Sequence, residues 1–142
     1  MSGYAPIPVT ASRTLTRSDI GAPIVVNAAA GLTLTLPASS GSGDDFEIVI
    51  GTSVTSNSVI VRVANGTDVM RGVAMNAADA GDTIVAFETA AASDTITMNG
   101  TTTGGLVGDR ILLKDIAAGF WQVQVIGAAT GTEVTPFSAT VS

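Results

Sequence analysis

The sequence predicts an all-β fold, an antiparallel β-sandwich or small barrel, and three observations predict it. Short runs of alternating or β-branched apolar residues recur at close intervals, as in "LTLTL" (Leu32–Leu36) and "DFEIVI" (Asp45–Ile50). Turn residues separate them, with 16 glycines among 142 residues. No window carries a convincing helical period, and the Ala-rich pieces "NAADAG" and "ETAAASD" suffice for one turn each. Many short strands joined by turns bury their apolar faces by packing two sheets or closing one.

The chain opens with "MSGYAPIPVTAS". Pro6 and Pro8 favour an extended backbone and lack the N–H that a sheet ladder needs. Residues 1–12 are therefore expected to form an extended N-terminal arm outside the core, and residues 13–142 a single β domain. Fully stretched, such an arm spans roughly 40 Å at about 3.3 Å per residue. Tyr4, Ile7 and Val9 supply it with apolar groups that a solvated tail does not need, which makes them candidate partner-binding residues.

After Thr10, "PIVVN" and "LTLTLP" bracket "AAAG" and predict a hairpin with Gly31 in the left-handed conformation. Leu32, Leu34 and Leu36 then face the core, with Thr33 and Thr35 outward. By the same alternation Phe46, Ile48 and Ile50 share one face, and Val59, Val61 and Val63 point inward with Arg62 outward. Asn65-Gly66 and Asn99-Gly100 each carry the two-residue hairpin signal. Both also fit the glycosylation pattern formally, but turn chemistry accounts for them. "DTIVAFE", "DTITMN", "DRILLKDI" and "FWQVQVIG" supply further strands. Pro136 assigns the last segment, "EVTPFSATV", to a sheet edge or a bulge.

Composition limits the function. Hydrophobic residues make up 46% but aromatics only 4%, so the core must be built from Val, Ile, Leu and Ala. These side chains each remove less area from water than Phe or Trp, and subunit association is a natural way to add burial. The net charge is −6 and the six basic residues are scattered, so no phosphate backbone is expected as a partner. There is no Cys and no His, which removes disulfides, thiolate sites, the commonest metal ligand and the best proton shuttle near neutral pH.

No G-x-S-x-G is present, and the glycine-rich pieces "GLVGD" and "NGTTTGG" lack a P-loop lysine. Asp44-Asp45 and the pair Asp79 and Asp82 lack calcium-loop spacing and read as turns. Asp94, Asp109 and Asp115 stand at strand ends and read as solvated charges that discourage edge-to-edge pairing. No catalytic residue, cofactor site or metal site is assigned, and no enzyme is expected. The N-terminus lacks a signal-peptide pattern and no stretch reaches membrane-span length, so a soluble chain without a membrane partner is expected. Phe120 and Trp121 would point to opposite faces of a strand. Either both are buried between covered faces, or one is an exposed anchor, and Trp121 joins the candidate partner-binding residues.

Taken together, "LTRSDIGAPIVVNAAAGLTLTLPASSGSGDDFEIVIG" and the later "GFWQVQVIGAATG" resemble the short β-rich structural proteins of tailed bacteriophages. These are capsid decoration (cement) proteins and small head- or tail-fibre domains. The likeness runs from Leu15 to Gly127 and consists of strand and turn residues. It implies a virion structural protein on the outer capsid surface, a homotrimer bound to the major capsid protein, with no cofactor. Tyr4, Ile7 and Val9 would grip neighbouring shell subunits, and trimerisation would join three weak attachments, with avidity gains of roughly 10² to 10⁴. The alternative it implies is a trimeric tail- or head-fibre domain that binds a host-surface receptor or glycan, with Trp121 or Tyr4 as stacking platform.

Overall fold

The computed structural model describes residues 5–79 and 83–142. Among the described residues twelve strands form two packed sheets, as the sequence predicts, and they make a sandwich rather than a barrel. In chain order the strands are β1 (Ile7–Val9), β2 (Arg13–Thr14), β3 (Pro23–Val26), β4 (Leu32–Thr35), β5 (Asp45–Ile50) and β6 (Val59–Arg62). The second half adds β7 (Val69–Ala77), β8 (Ile84–Glu88), β9 (Thr95–Met98), β10 (Arg110–Ala117), β11 (Phe120–Ala128) and β12 (Phe137–Ser138). One sheet has the order β1-β3-β5-β10-β11-β7-β8, the other β12-β9-β6-β4-β2. A 3₁₀ turn, Arg17–Asp19, leads into β3.

The expectation of an antiparallel arrangement needs correction. Five of the ten strand pairings among the described residues are parallel. The cause lies in the connections. Strands β1 to β6 alternate between the two sheets, so β1, β3 and β5 stack parallel in one while β2, β4 and β6 stack parallel in the other. The first half of the chain is thus a coil of three rungs. The expected β3–β4 hairpin is an arch between sheets, although Gly31 does take the left-handed conformation (φ 78°). A Cβ on Gly31 would coincide with the Ser58 carbonyl, because the turn after β3 packs directly on the approach to β6.

Neither Asn-Gly pair forms a hairpin. Asn65 Oδ1 accepts the N–H groups of Thr67 and Asp68 while the chain crosses from β6 to β7 in the opposite sheet. Asn99 Oδ1 accepts those of Thr101 and Thr103 after β9. The asparagines cap turns by side chain, a role the dipeptide alone does not separate from a type I′ turn. Pro136 precedes β12 at a sheet edge, as expected.

Alternation did place the core. In the five-stranded sheet Leu34, Val61, Ile96 and Phe137 form one inward row, and Leu32, Val59 and Met98 another. Facing them, Ile24, Ile48, Ile111, Val125 and Ala74 align across the seven-stranded sheet, with Phe46, Leu113 and Val123 one row on. Burying each Leu, Ile or Val side chain contributes about 1.5–3 kcal/mol, so many modest side chains replace a few large ones.

The extended arm is not confirmed. Ile7–Val9 forms an edge strand parallel to β3, in register Ile7 to Ile24 and Val9 to Val26. Val9 is buried in the core and Ile7 packs against it. Pro8 fits because it lies on an edge strand, where a missing N–H leaves no ladder bond unmade.

Candidate functional site

The solvent-facing side of the seven-stranded sheet carries accessible polar, charged and apolar side chains together. Strand alternation buries Phe46, Ile111, Leu113, Trp121, Val123, Met70 and Ala74 and turns their neighbours outward. Register then aligns those outward side chains in rows. The first row reads Asp45, Lys114, Gln122, Arg71. The second reads Glu47, Leu112, Gln124, Val73, Glu88, and the third Val49, Arg110, Ile126, Met75, Ala86.

The first row and the second as far as Val73, with Phe120, line an open groove of about 730 Å³. Among the described residues, the Lys114, Gln122 and Gln124 side chains have no hydrogen-bond or ion-pair partner, so their polar groups are free above its floor. Arg71 is fixed at one wall by donating to the carbonyls of Ala90 (3.3 Å) and Ala91 (2.9 Å). Glu47 approaches Arg110 at 3.8 Å, an exposed pair of small energetic weight.

Beside the groove lies an apolar patch. Val73, Met75 and Ile126 are 39%, 38% and 36% exposed, and Ile84, opposite Ala77 on β8, is 71% exposed. Strand β8 is also the least protected edge of the sandwich. Edge strand β1 has three residues and Pro8, while β2 and β12 have two residues each. Strand β8 offers five residues, with neither Pro nor Lys to deter another strand.

The carboxylates expected to be solvated edge charges are buried instead: Asp94, Asp109 and Asp115 are at most 4% exposed. Each staples a loop. Asp115 accepts the Ser40 and Gly41 N–H groups (3.0 and 2.8 Å) and the Ser42 hydroxyl (2.8 Å). Burial pushes its pKa up, but these hydrogen bonds outweigh it and hold the carboxyl below the usual range. Asp94 behaves likewise: burial opposes ionisation, while Thr95 and the N–H groups of Ser142 and Val141 prevail and lower the pKa.

Asp109 differs. Its carboxylate accepts from Gly105, Leu106 and Ala128, yet burial dominates and raises its pKa. It fills the space a side chain at Gly127 would need, since a Cβ there would lie 2.6–2.9 Å from its carboxyl atoms. Gly127 pairs with Asn76, whose fully buried amide has no partner at either polar atom. The oxygens of the three carboxylates are committed to backbone N–H and hydroxyl donors and hold loops in place. Among the described residues no group of three or more His, Cys, Asp or Glu is placed to hold a metal ion.

The structure does not gather the sequence-predicted residues into one site. Tyr4 lies outside the described residues, as does Asp82. Ile7 is half-buried on β1, and Val9 belongs to the core. Trp121 is 1% exposed and stacks at a tilt on Phe46, with ring centroids 5.8 Å apart. Its indole N–H has no partner. Phe120, its neighbour, lines the groove, as does Phe46. The residues that sequence reasoning missed are Val73, Met75, Ile84 and Ile126. Their signal, alternation in "VMRGVAMNA" and "FWQVQVIGA", separates two faces but not which one is covered. Asp44 pairs with Arg17 at 3.0 Å and Asp79 accepts the Gly131 N–H, both as loop contacts. No protein-family model, curated protein or solved structure matches this chain.

Proposed function

We propose that this chain is a virion structural protein that works through protein–protein contact: a decoration protein on the outer surface of a phage capsid, self-associated and bound to the major capsid protein. The observation that carries this reading is the exposed apolar patch of Val73, Met75, Ile84 and Ile126 beside the unprotected edge strand β8. Contiguous exposed apolar surface next to an open edge favours docking of another protein. The sequence resemblance from Leu15 to Gly127 supplies the virion context and the expectation of a homotrimer. An acidic chain also suits an outer surface better than a DNA-lined interior. Val9 serves the chain's own core and Ile7 packs against it, so neither is carried into this reading as a shell-gripping residue.

The test is copy number, measured by calibrated mass spectrometry on purified particles of the encoding virus. A ratio to the major capsid subunit near one, or a simple fraction such as one third, is the expected result. A ratio of a few per cent would refute decoration of the shell lattice.

A second reading has its own observation. The groove presents Phe120, unpartnered amides at Gln122 and Gln124, and the cations of Lys114 and Arg71. An aromatic edge among free amides suits a polyhydroxylated ligand, which would make the chain a fibre-type domain binding a surface glycan. Low copy number together with glycan-array binding abolished by Gln122→Ala and Gln124→Ala would establish it.

A further inference from the structure

We infer that the outer face of the seven-stranded sheet packs against the same face of a second copy of this chain, about a two-fold axis parallel to the strands and between β7 and β11. The inference rests on the reading of the chain as a self-associating structural protein, assigns the surface, and puts a two-fold pair in place of the homotrimer that the resemblance implies. It does not depend on which shell is decorated.

The apolar centre is self-complementary. Such an axis exchanges β11 with β7 and β10 with β8, row by row. Ile126 then lies over Met75 of the second copy, and Gln124 over Val73, across rows set by the strand register. All of these except Gln124 are exposed apolar side chains in the isolated chain.

Charge identifies the occupant as a second copy. The axis carries Glu88 on β8 over Leu112 on β10. On that face the neighbours of Leu112 along β10 are Arg110 and Lys114, two residues to either side. Packed sheets cross at about −30°, which slides Glu88 along β10 toward one of these residues. Both are cations, so the match survives the twist in either direction. The two-fold repeats it, which gives apolar contacts at the centre and opposite charges toward the rim, the usual layout of a protein interface. Among the described residues Lys114 has no partner, and Arg110 has the 3.8 Å contact with Glu47 alone.

The experiment is sedimentation equilibrium of the full chain over a wide concentration range, with thermal unfolding as a folding control for each variant. Monomer–dimer behaviour is expected. Met75→Arg should abolish the dimer within the range studied, because it forces a cation into the apolar centre. Glu88→Lys should weaken it about tenfold, and adding Arg110→Glu with Lys114→Glu should recover most of that loss. Rescue by reversed charges is a result that a merely destabilising substitution cannot produce. A monomer at all concentrations overturns the inference. So does a trimer, which leaves the structural-protein reading intact with another interface. A dimer indifferent to Met75→Arg overturns it as well, and moves the contact elsewhere, with the β8 edge the next surface to test.

Discussion

Replacing Asp115 with Ala removes the acceptor that closes the loop between β4 and β5. The Ser40 and Gly41 N–H groups and the Ser42 hydroxyl lose a charged partner at 2.8–3.0 Å. A hydrogen bond to a charged group contributes about 1.5–3 kcal/mol. Ser40, Gly41 and Ser42 lie at the surface, where water replaces part of each bond, so the net loss should be about 3 kcal/mol. For a domain of this size that lowers Tm by about 6–12 °C. Trp121, the single tryptophan, pairs with Asp115 across β10 and β11, so urea unfolding followed by its fluorescence reports on the affected region. The pH dependence has a defined sign. The Asp115 pKa is lowered in the fold, so its stabilisation is complete above the unfolded value of about 3.9 and fades as pH falls below it. Asp115→Asn should flatten that part of the acid limb while retaining one acceptor oxygen. A stability loss for Asp115→Ala below about 1 kcal/mol would refute the staple argument, because the loop would then be held by other contacts.

Three further substitutions test the packing, and one the remaining acid chemistry. Gly31→Ala combines a left-handed backbone with a Cβ placed on the Ser58 carbonyl, whereas Gly43→Ala has a similar φ with open space around it. Chemical denaturation should show a loss of about 1–2 kcal/mol for Gly43→Ala and clearly more for Gly31→Ala; equal losses would mean that the arch can relax. Asn76→Leu exchanges a fully buried amide with two unpaired atoms for an apolar group of similar shape. It should leave stability unchanged or raise it by about 1–2 kcal/mol, and a marked loss in thermal unfolding would show that the amide has an ordered partner in solution. Asp109 should oppose Asp94 and Asp115 on acidification. Its pKa is raised, so protonation relieves a cost as pH falls through its folded value. Asp109→Asn should therefore cost more stability at about pH 4 than at pH 7, and the reverse order in urea titrations would contradict burial as the dominant influence.

The sequence by itself determined the fold class and much of the core. Leucine–threonine alternation in "LTLTL" and the runs at Phe46–Ile50 and Val59–Val63 state which side chains leave water, because a strand has a period of two whatever it pairs with. Turn positions, including the left-handed Gly31, were legible for a similarly local reason. Strand partners were not. A turn between two strands reads the same whether it closes a hairpin or arches to the opposite sheet, so the three-rung coil and its parallel pairings emerge only when both sheets are assembled. The carboxylates follow that rule. Asp94, Asp109 and Asp115 sit at strand ends in the sequence, but only the fold brings loops 140–142, 105–106 and 40–42 onto them and exchanges water for N–H donors. The candidate site is the clearest case. Alternation in β7 and β11 divides their residues into two faces, and tertiary packing decides that Met70, Ala74, Trp121 and Val123 meet the second sheet while Val73, Met75 and Ile126 face solvent. Burial is a property of what lies opposite a strand, and a single strand's sequence does not contain it.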